Sequence, residues 1–257
     1  MLKNLSIKEL YALALAEGEG VGTAYEYFAK RLLLKRWLKE QERPSRMLIA
    51  GLPEKYGSSL DFLQLALELE AEVTVVDERP FALNKLQTSL AAAQEKGWLT
   101  AVSLTIYLVL DIAFLNEING SFDLCISSEV LQRLAGNEQT CYIQQLSRLA
   151  PSVAIFSPNG DNPSHTNISG LSGVGLDELR SHITQMPHQP VTMSGYVDMP
   201  PFPPGITRSE DQREQAASGI FEAVAMGGLG YYARLEHWMP AAIRCRHSHI
   251  TYVFLQS

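Results

Sequence analysis

Several things are scarce in this chain, and each scarcity removes a class of function. Cysteine is limited to Cys125, Cys141 and Cys245, scattered and odd in number. That pattern excludes a disulfide framework and shows no metal-binding spacing, so no metal site is expected. Basic residues are outnumbered, 21 against 28 acidic, for a net charge of -7. A dedicated nucleic-acid binder needs a basic surface to neutralise phosphates, so none is expected here beyond local basic patches. Long apolar runs are missing too: none reaches the roughly 18 residues that a membrane span requires. The opening "MLKNLSIKELYALALAEGEG" is interrupted by Lys8 and Glu9 and lacks the apolar core of a signal peptide. A cytoplasmic protein without a membrane span is the expectation. No internal repeat or low-complexity segment appears.

What is present is apolar content in an ordered alternation. With 257 residues, 46% of them hydrophobic, the chain can bury the core of one large α/β domain. Residues 5–17 and 23–41 read as two helices, the second with Thr23 as N-cap. Its bases Lys30, Arg31, Lys35, Arg36 and Lys39 read as a solvated face around a Leu/Trp stripe, with anionic lipid or phosphate as the sharper alternative. Pro44 closes this N-terminal helical cap, residues 1–44. From 45 to 160 strand-like runs (46–51, 72–77, 101–111, 122–128, 152–158) alternate with helical patterns (59–71, 82–97, 138–150). Uninterrupted apolar strands alternating with helices imply a doubly wound, mostly parallel sheet. Residues 161–257 read as the other half of the same α/β domain, with a helix at 175–186 and strands at 190–199 and 248–257. Between them lies an insertion of about 200–246, containing the rigid loop "PPFPPG" and a helix at 209–226 capped by Ser209.

Right-handed crossovers bring the carboxyl ends of all parallel strands to one edge, where open α/β sheets bind ligands. The first strand delivers Gly51 there, the second Asp77, the third Asp111 and the fourth Ser127. Gly51 lets a ligand approach backbone directly. Asp77 is able to accept hydrogen bonds from both hydroxyls of a ribose. Each has a plainer alternative: Asp77 and Asp111 as strand ends or caps, Ser127 and Ser128 as caps of a helix begun by Glu129, and Glu129 with Arg133 as a surface pair.

These segments, "MLIAG", "VTVVDERP" and above all "FDLCISSEVLQRL", resemble the signature stretches of class I S-adenosylmethionine-dependent methyltransferases, in particular their small-molecule branch. The resemblance covers residues 46–158. It implies a Rossmann-like methyltransferase fold of the seven-stranded type, S-adenosylmethionine as cofactor and a small organic molecule as methyl acceptor. By it, Gly51 approaches the methionine end, Asp77 holds the ribose, Asp111 and the Ile112 backbone hold the adenine, and Ser127 faces the methionine and the acceptor. The first loop departs from the family pattern, with Ile49, Pro53 and Lys55 where an acid and two glycines are usual. Gly57 is therefore expected to supply the close backbone approach, and Glu54 to receive the cofactor's ammonium group.

An in-line methyl displacement needs an aligned nucleophile, exclusion of water and sometimes a base. "GVGTAYEYF" offers a lid with Tyr25 and Tyr27, the plainer alternative being core packing. His165, in the loop after the fifth strand, has a suitable unperturbed pKa for a catalytic base. Tyr196, Asp198, Phe202, Tyr231, Tyr232, Glu236 and His237 are candidates for the acceptor wall. Two other classes stay open: a non-catalytic methyltransferase-like scaffold or regulatory protein, favoured by the altered loop, and an NAD-dependent oxidoreductase. A homodimer is compatible with the apolar insertion.

Overall fold

The computed structural model describes residues 3–184, 190–201 and 220–257. Seven strands form one sheet in the order β3-β2-β1-β4-β5-β7-β6. They are β1 (Arg46–Ala50), β2 (Glu72–Asp77), β3 (Leu104–Leu108), β4 (Leu124–Ser128), β5 (Ser152–Pro158), β6 (Val191–Val197) and β7 (Ile250–Gln256). The first five run parallel; β7 is antiparallel to both β5 and β6. The expected doubly wound, mostly parallel α/β sheet is thus present.

Period-two alternation explains how one sheet serves two cores. Met47 and Ile49 of β1 join Val73, Val75, Ile126, Phe156 and Phe254 on one face. Leu48 and Ala50 join Val76, Cys125, Val153, Ile155 and Val253 on the other. The first face is covered by α1 (Ile7–Ala16), α2 (Val21–Leu38), α3 (Leu60–Leu69) and α4 (Pro80–Glu95). The second packs against α5 (Gly136–Leu149) and α7 (Leu176–Thr184). Helices α6 (Pro163–Ser169), α8 (Ile220–Glu236) and α9 (Ala241–His247) complete the described elements.

Several boundaries differ from the sequence reading for identifiable reasons. Helix α1 starts at Ile7 because Ser6 and Glu9 form a capping box. Helix α2 starts at Val21 behind Gly20, which places Thr23 inside the first turn and not at the cap. Strand β3 is shorter than 101–111 and lies at the sheet edge, with Leu108 and Leu110 exposed by 57% and 90%. The segment around His165 is a short helix, α6, with Asn162 accepting from the His165 N–H at 3.2 Å and Pro163 at its first position. Ser209, Phe202, most of "PPFPPG" and the start of the helix expected at 209–226 lie outside the described residues; the helix described from 220 continues to Glu236.

Candidate functional site at the carboxyl edge

Because β7 and β6 are antiparallel, the residue before β7 and the residue after β6 arrive at the same edge as the ends of β1–β5. Pro158 and Val197 both pair with Ile250. The edge therefore gathers Asp77, Gly51, Glu129, Asn159, His249 and Asp198.

At the ends of β1 and β2, Asp77 is fully buried. Its Oδ2 accepts from the Leu52 N–H at 2.7 Å, and its Oδ1 accepts from the Arg79 N–H at 2.8 Å. The Arg79 guanidinium then forks onto it, Nε to Oδ1 at 2.8 Å and Nη2 to Oδ2 at 2.9 Å. Burial alone raises a carboxyl pKa, but Arg79, the Leu52 N–H and Arg133 outweigh it and hold Asp77 below its usual value. This is the two-donor geometry a vicinal diol would present, supplied from within the chain. The other residues the resemblance assigns to the adenosine are also engaged. The Ile112 N–H donates to Glu78 at 2.9 Å, and Asp111 caps the turn Ile112–Phe114 by accepting from the Ala113 N–H at 2.8 Å.

Arg133 behaves differently from its neighbours. Glu129 and Arg133 do not form the expected surface pair, because Glu129 follows β4 in a left-handed conformation at φ +57 and only a single 3-10 turn, Leu131–Arg133, lies beyond it in place of an α-helix. Instead Arg133 leans over Gly51 toward Asp77 at 3.7 Å and Glu78 at 4.0 Å. Its Nε, Nη1 and Nη2 are buried with no hydrogen-bond partner among the described residues. The guanidinium is thus held by the charges of Asp77 and Glu78 without a hydrogen bond to either. Gly51 itself sits at φ +76, and a Cβ there would meet Val130 Cγ2 at 2.5 Å. Close packing of the β4 loop already requires glycine at this position.

The remaining predicted cofactor residues are placed as follows. Glu54 accepts from Gln132 Nε2 at 3.1 Å, and its backbone N–H bonds the Glu129 carboxyl. Gly57, at φ +74, abuts the Tyr27 hydroxyl, and its N–H reaches Glu19 at 3.3 Å. Ser127 is buried on the far face of the sheet, where the Tyr142 hydroxyl bridges it (2.9 Å) to the Ala50 carbonyl (2.6 Å). It is tied into packing there rather than presented to a ligand.

A residue absent from the sequence reading completes the loop. Glu17, at the end of α1, accepts from the Ser58 N–H (2.8 Å), the Ser58 hydroxyl (2.7 Å), the Leu60 N–H (3.0 Å) and the Tyr27 hydroxyl. A buried carboxylate thereby satisfies the N-terminus of α3, whose own cap position, Ser59, is left-handed at φ +71 and makes no side-chain bond.

Further along the edge, α2 lays ionisable groups over the ends of β4 and β6. Lys30, 1% exposed, bonds Glu26 at 2.7 Å, with Asp61 at 3.9 Å and Ser128 at 3.5 Å. Burial pushes Asp61 up to about 7 and Glu129 up to about 8. Tyr25 donates to Glu236 at 2.6 Å, so both tyrosines of the expected lid are core residues bonded to buried carboxyls. Among the acceptor-wall candidates, Tyr196 bonds Asp161 at 2.9 Å, Tyr232 lies 6.3 Å from the Tyr25 ring, Tyr231 is exposed, and His237 contacts Arg36.

Asp198, also left-handed at φ +70, bonds His249 Nδ1 at 3.1 Å. The His249 ring stacks on His165 at 4.0 Å between centroids. Burial acts to lower the His249 pKa, but Asp198 reverses this and raises it. Burial and then the charge of His249 lower His165 to about 4, so at neutral pH it is an uncharged imidazole whose Nδ1 has no partner among the described residues. Asp198 and His249 lie 51 positions apart in sequence; the only sequence signal was a histidine directly before the last apolar run.

No family model matches the chain, and no curated protein matches it. Solved structures do resemble it. Magnesium protoporphyrin IX methyltransferase from Synechocystis PCC 6803 with bound SAH aligns over 91% of this chain and 84% of that one, at TM-score 0.53 and 11% identity. The cyclopropane synthase MmaA2 from Mycobacterium tuberculosis aligns over 89% and 84%, at 0.52 and 9%. The methyltransferase domain of bacterial CtHen1 aligns over 89% and 98%, at 0.52 and 10%. The fold is that of the class I S-adenosylmethionine-dependent methyltransferases. No described helix is long and apolar enough to cross a membrane.

Proposed function

We propose that the chain binds S-adenosylmethionine at the carboxyl edge and transfers its methyl group to a small organic acceptor. The observation that carries this reading is the pair formed by Asp77 and Arg133 beside Gly51. One is an acceptor pair matched to a vicinal diol; the other is a buried guanidinium that is paired by charge with Asp77 and Glu78 but hydrogen-bonded to neither, so its donors suit a carboxylate. A nucleoside joined to an amino acid carries both groups. Arg79, on a flexible stem, holds the diol position until displaced. Glu129 and Asp61, both with a buried unpaired oxygen, suit the cationic end.

The cofactor, when bound, supplies an electrophilic methyl group on a sulfonium. The chain contributes the rest. Helices α1 and α2 cover the edge and exclude water. His165, uncharged at neutral pH, is the imidazole placed to take the acceptor's proton at Nδ1, a weaker base than its unperturbed pKa implied because burial lowers it to about 4. The Asp198–His249 pair fixes the His165 ring from one side, and Glu26, Asp61 and Glu129 would face the cationic end of the cofactor. Two non-glycine residues held left-handed at this edge, Glu129 and Asp198, are the kind of strain that accompanies working sites.

A second reading has its own support: Arg79, Glu78 and Val130 fill the seat, as a non-catalytic methyltransferase-like scaffold would require. Calorimetric titration with S-adenosylhomocysteine, with NAD as the control ligand, separates the two. Binding by the wild type, strengthened in Arg79→Ala, is expected. Silence from both proteins would overturn the methyl-donor reading in favour of the scaffold, and binding of NAD alone would indicate the oxidoreductase.

A further inference from the structure

Helices α8 and α9 carry an outward face that the carboxyl edge does not use. Tyr231, Leu235 and Trp238 follow at spacings of four and three, so they stand on one side of α8 and its C-terminal turn. They are exposed by 66%, 44% and 83%, and Ile243 of α9 adds another apolar side chain exposed by 45%. Met226, Ala233 and Glu236, on the opposite side, are buried against the domain. A single exposed apolar residue needs no explanation; a group of four on adjoining helices does.

Charge narrows the partner. From Gly227 to His249 the only acid is Glu236, and it points inward to the Tyr25 hydroxyl and the Met199 N–H. Arg234 and Arg246 are exposed beside the apolar group. Arg36, Arg234 and Arg244 line a cavity of about 170 Å³ between α2, β6 and α8, together with apolar side chains, His237 and the inward-turned Glu236. On a chain of net charge -7, this face is cationic. Aromatic rings beside guanidinium groups match the boundary of an anionic bilayer, where rings settle at headgroup depth and arginines meet lipid phosphates.

We propose that this face docks on anionic lipid surfaces, with Trp238 and Tyr231 at headgroup level and Arg36, Arg234, Arg244 and Arg246 binding lipid phosphates. It is independent of the nucleoside seat, so failure of either proposal leaves the other standing. Co-sedimentation of the full chain with vesicles tests it. Vesicles of phosphatidylcholine alone are expected to leave the protein in solution, and vesicles containing phosphatidylglycerol to carry it down, less so at high salt. Trp238→Ser with Leu235→Ser is expected to abolish binding; Arg234→Gln or Arg246→Gln is expected to weaken it about fivefold each. All four side chains are exposed, so unchanged thermal melting checks that the variants are folded. Absence of vesicle binding, equal binding to neutral vesicles, or unaltered binding by the variants overturns the proposal. So does a dimer in sedimentation velocity that Trp238→Ser dissolves, which would assign the face to a second copy of the chain.

Discussion

His165 and His249 stack face to face at 4.0 Å, and only His249 is held by a carboxylate, Asp198 at 3.1 Å. The carboxylate raises the pKa of one ring, while burial and the neighbouring charge lower that of the other. In a proton-detected NMR titration, His249 is expected to titrate above 6.5 and His165 near 4. Asp198→Asn should lower the His249 midpoint, since the main group opposing burial is then removed and only the more distant charges of Glu26 and Glu236 are left to raise it. An unmoved midpoint would show that the pair is not coupled.

Gly51→Ala should destabilise the fold by about 2–4 kcal/mol in urea unfolding. Its Cβ would strike Val130 Cγ2 and would sit at a positive φ as well. Val130→Ala in the same chain should recover part of the loss, because the clash, though not the backbone conformation, is relieved. Equal stability of Gly51→Ala and wild type would mean that the β4 loop does not pack there.

Lys30→Met should cost about 3–5 kcal/mol, the usual penalty for leaving buried carboxylates without their cation. Adding Glu26→Gln should return much of it, since the neutralised partner no longer needs pairing. A double variant no more stable than Lys30→Met would place the energy elsewhere.

Stability should fall as pH rises. Burial raises Asp61 to about 7, Glu129 to about 8 and Glu236 to about 7 in the folded state, from ordinary values of 3.8, 4.5 and 4.5. A raised folded pKa means stability fully present below the unfolded value and lost as pH climbs through the folded one. The thermal midpoint is therefore expected to decline from about pH 4 to about pH 8, with Glu236→Gln flattening part of the slope. A flat profile for the wild type would contradict this.

Much of the architecture was readable in advance because buried parallel strands announce themselves as uninterrupted apolar runs. The exception is instructive: β3 was read too long because Leu108 and Leu110 are apolar yet exposed, and apolarity at a sheet edge carries no information about burial. Gly51 and Asp77 could be placed at the edge from topology. What touches them could not, since Arg79, Val130 and Arg133 meet them only through the packing of two loops. Lys30 illustrates the limit most clearly. It stands in a row of bases that reads as a solvated face, and a spacing of four from Glu26 was the sole hint of its buried partner. The Asp198–His249 pair depends on two antiparallel strands aligning residues remote in sequence, which no local pattern encodes.

Strand β7 has a consequence for how the chain is made. It lies between β5 and β6, so β6 emerges from the ribosome with no neighbour to pair with and must wait for residues 250–256. Until then the nascent sheet ends at β5 with an open border, and the two groups aligned by Ile250 are apart. The half of the edge that bears His249 and Asp198 is thus assembled last, which makes this corner the one most dependent on chaperone shelter during synthesis.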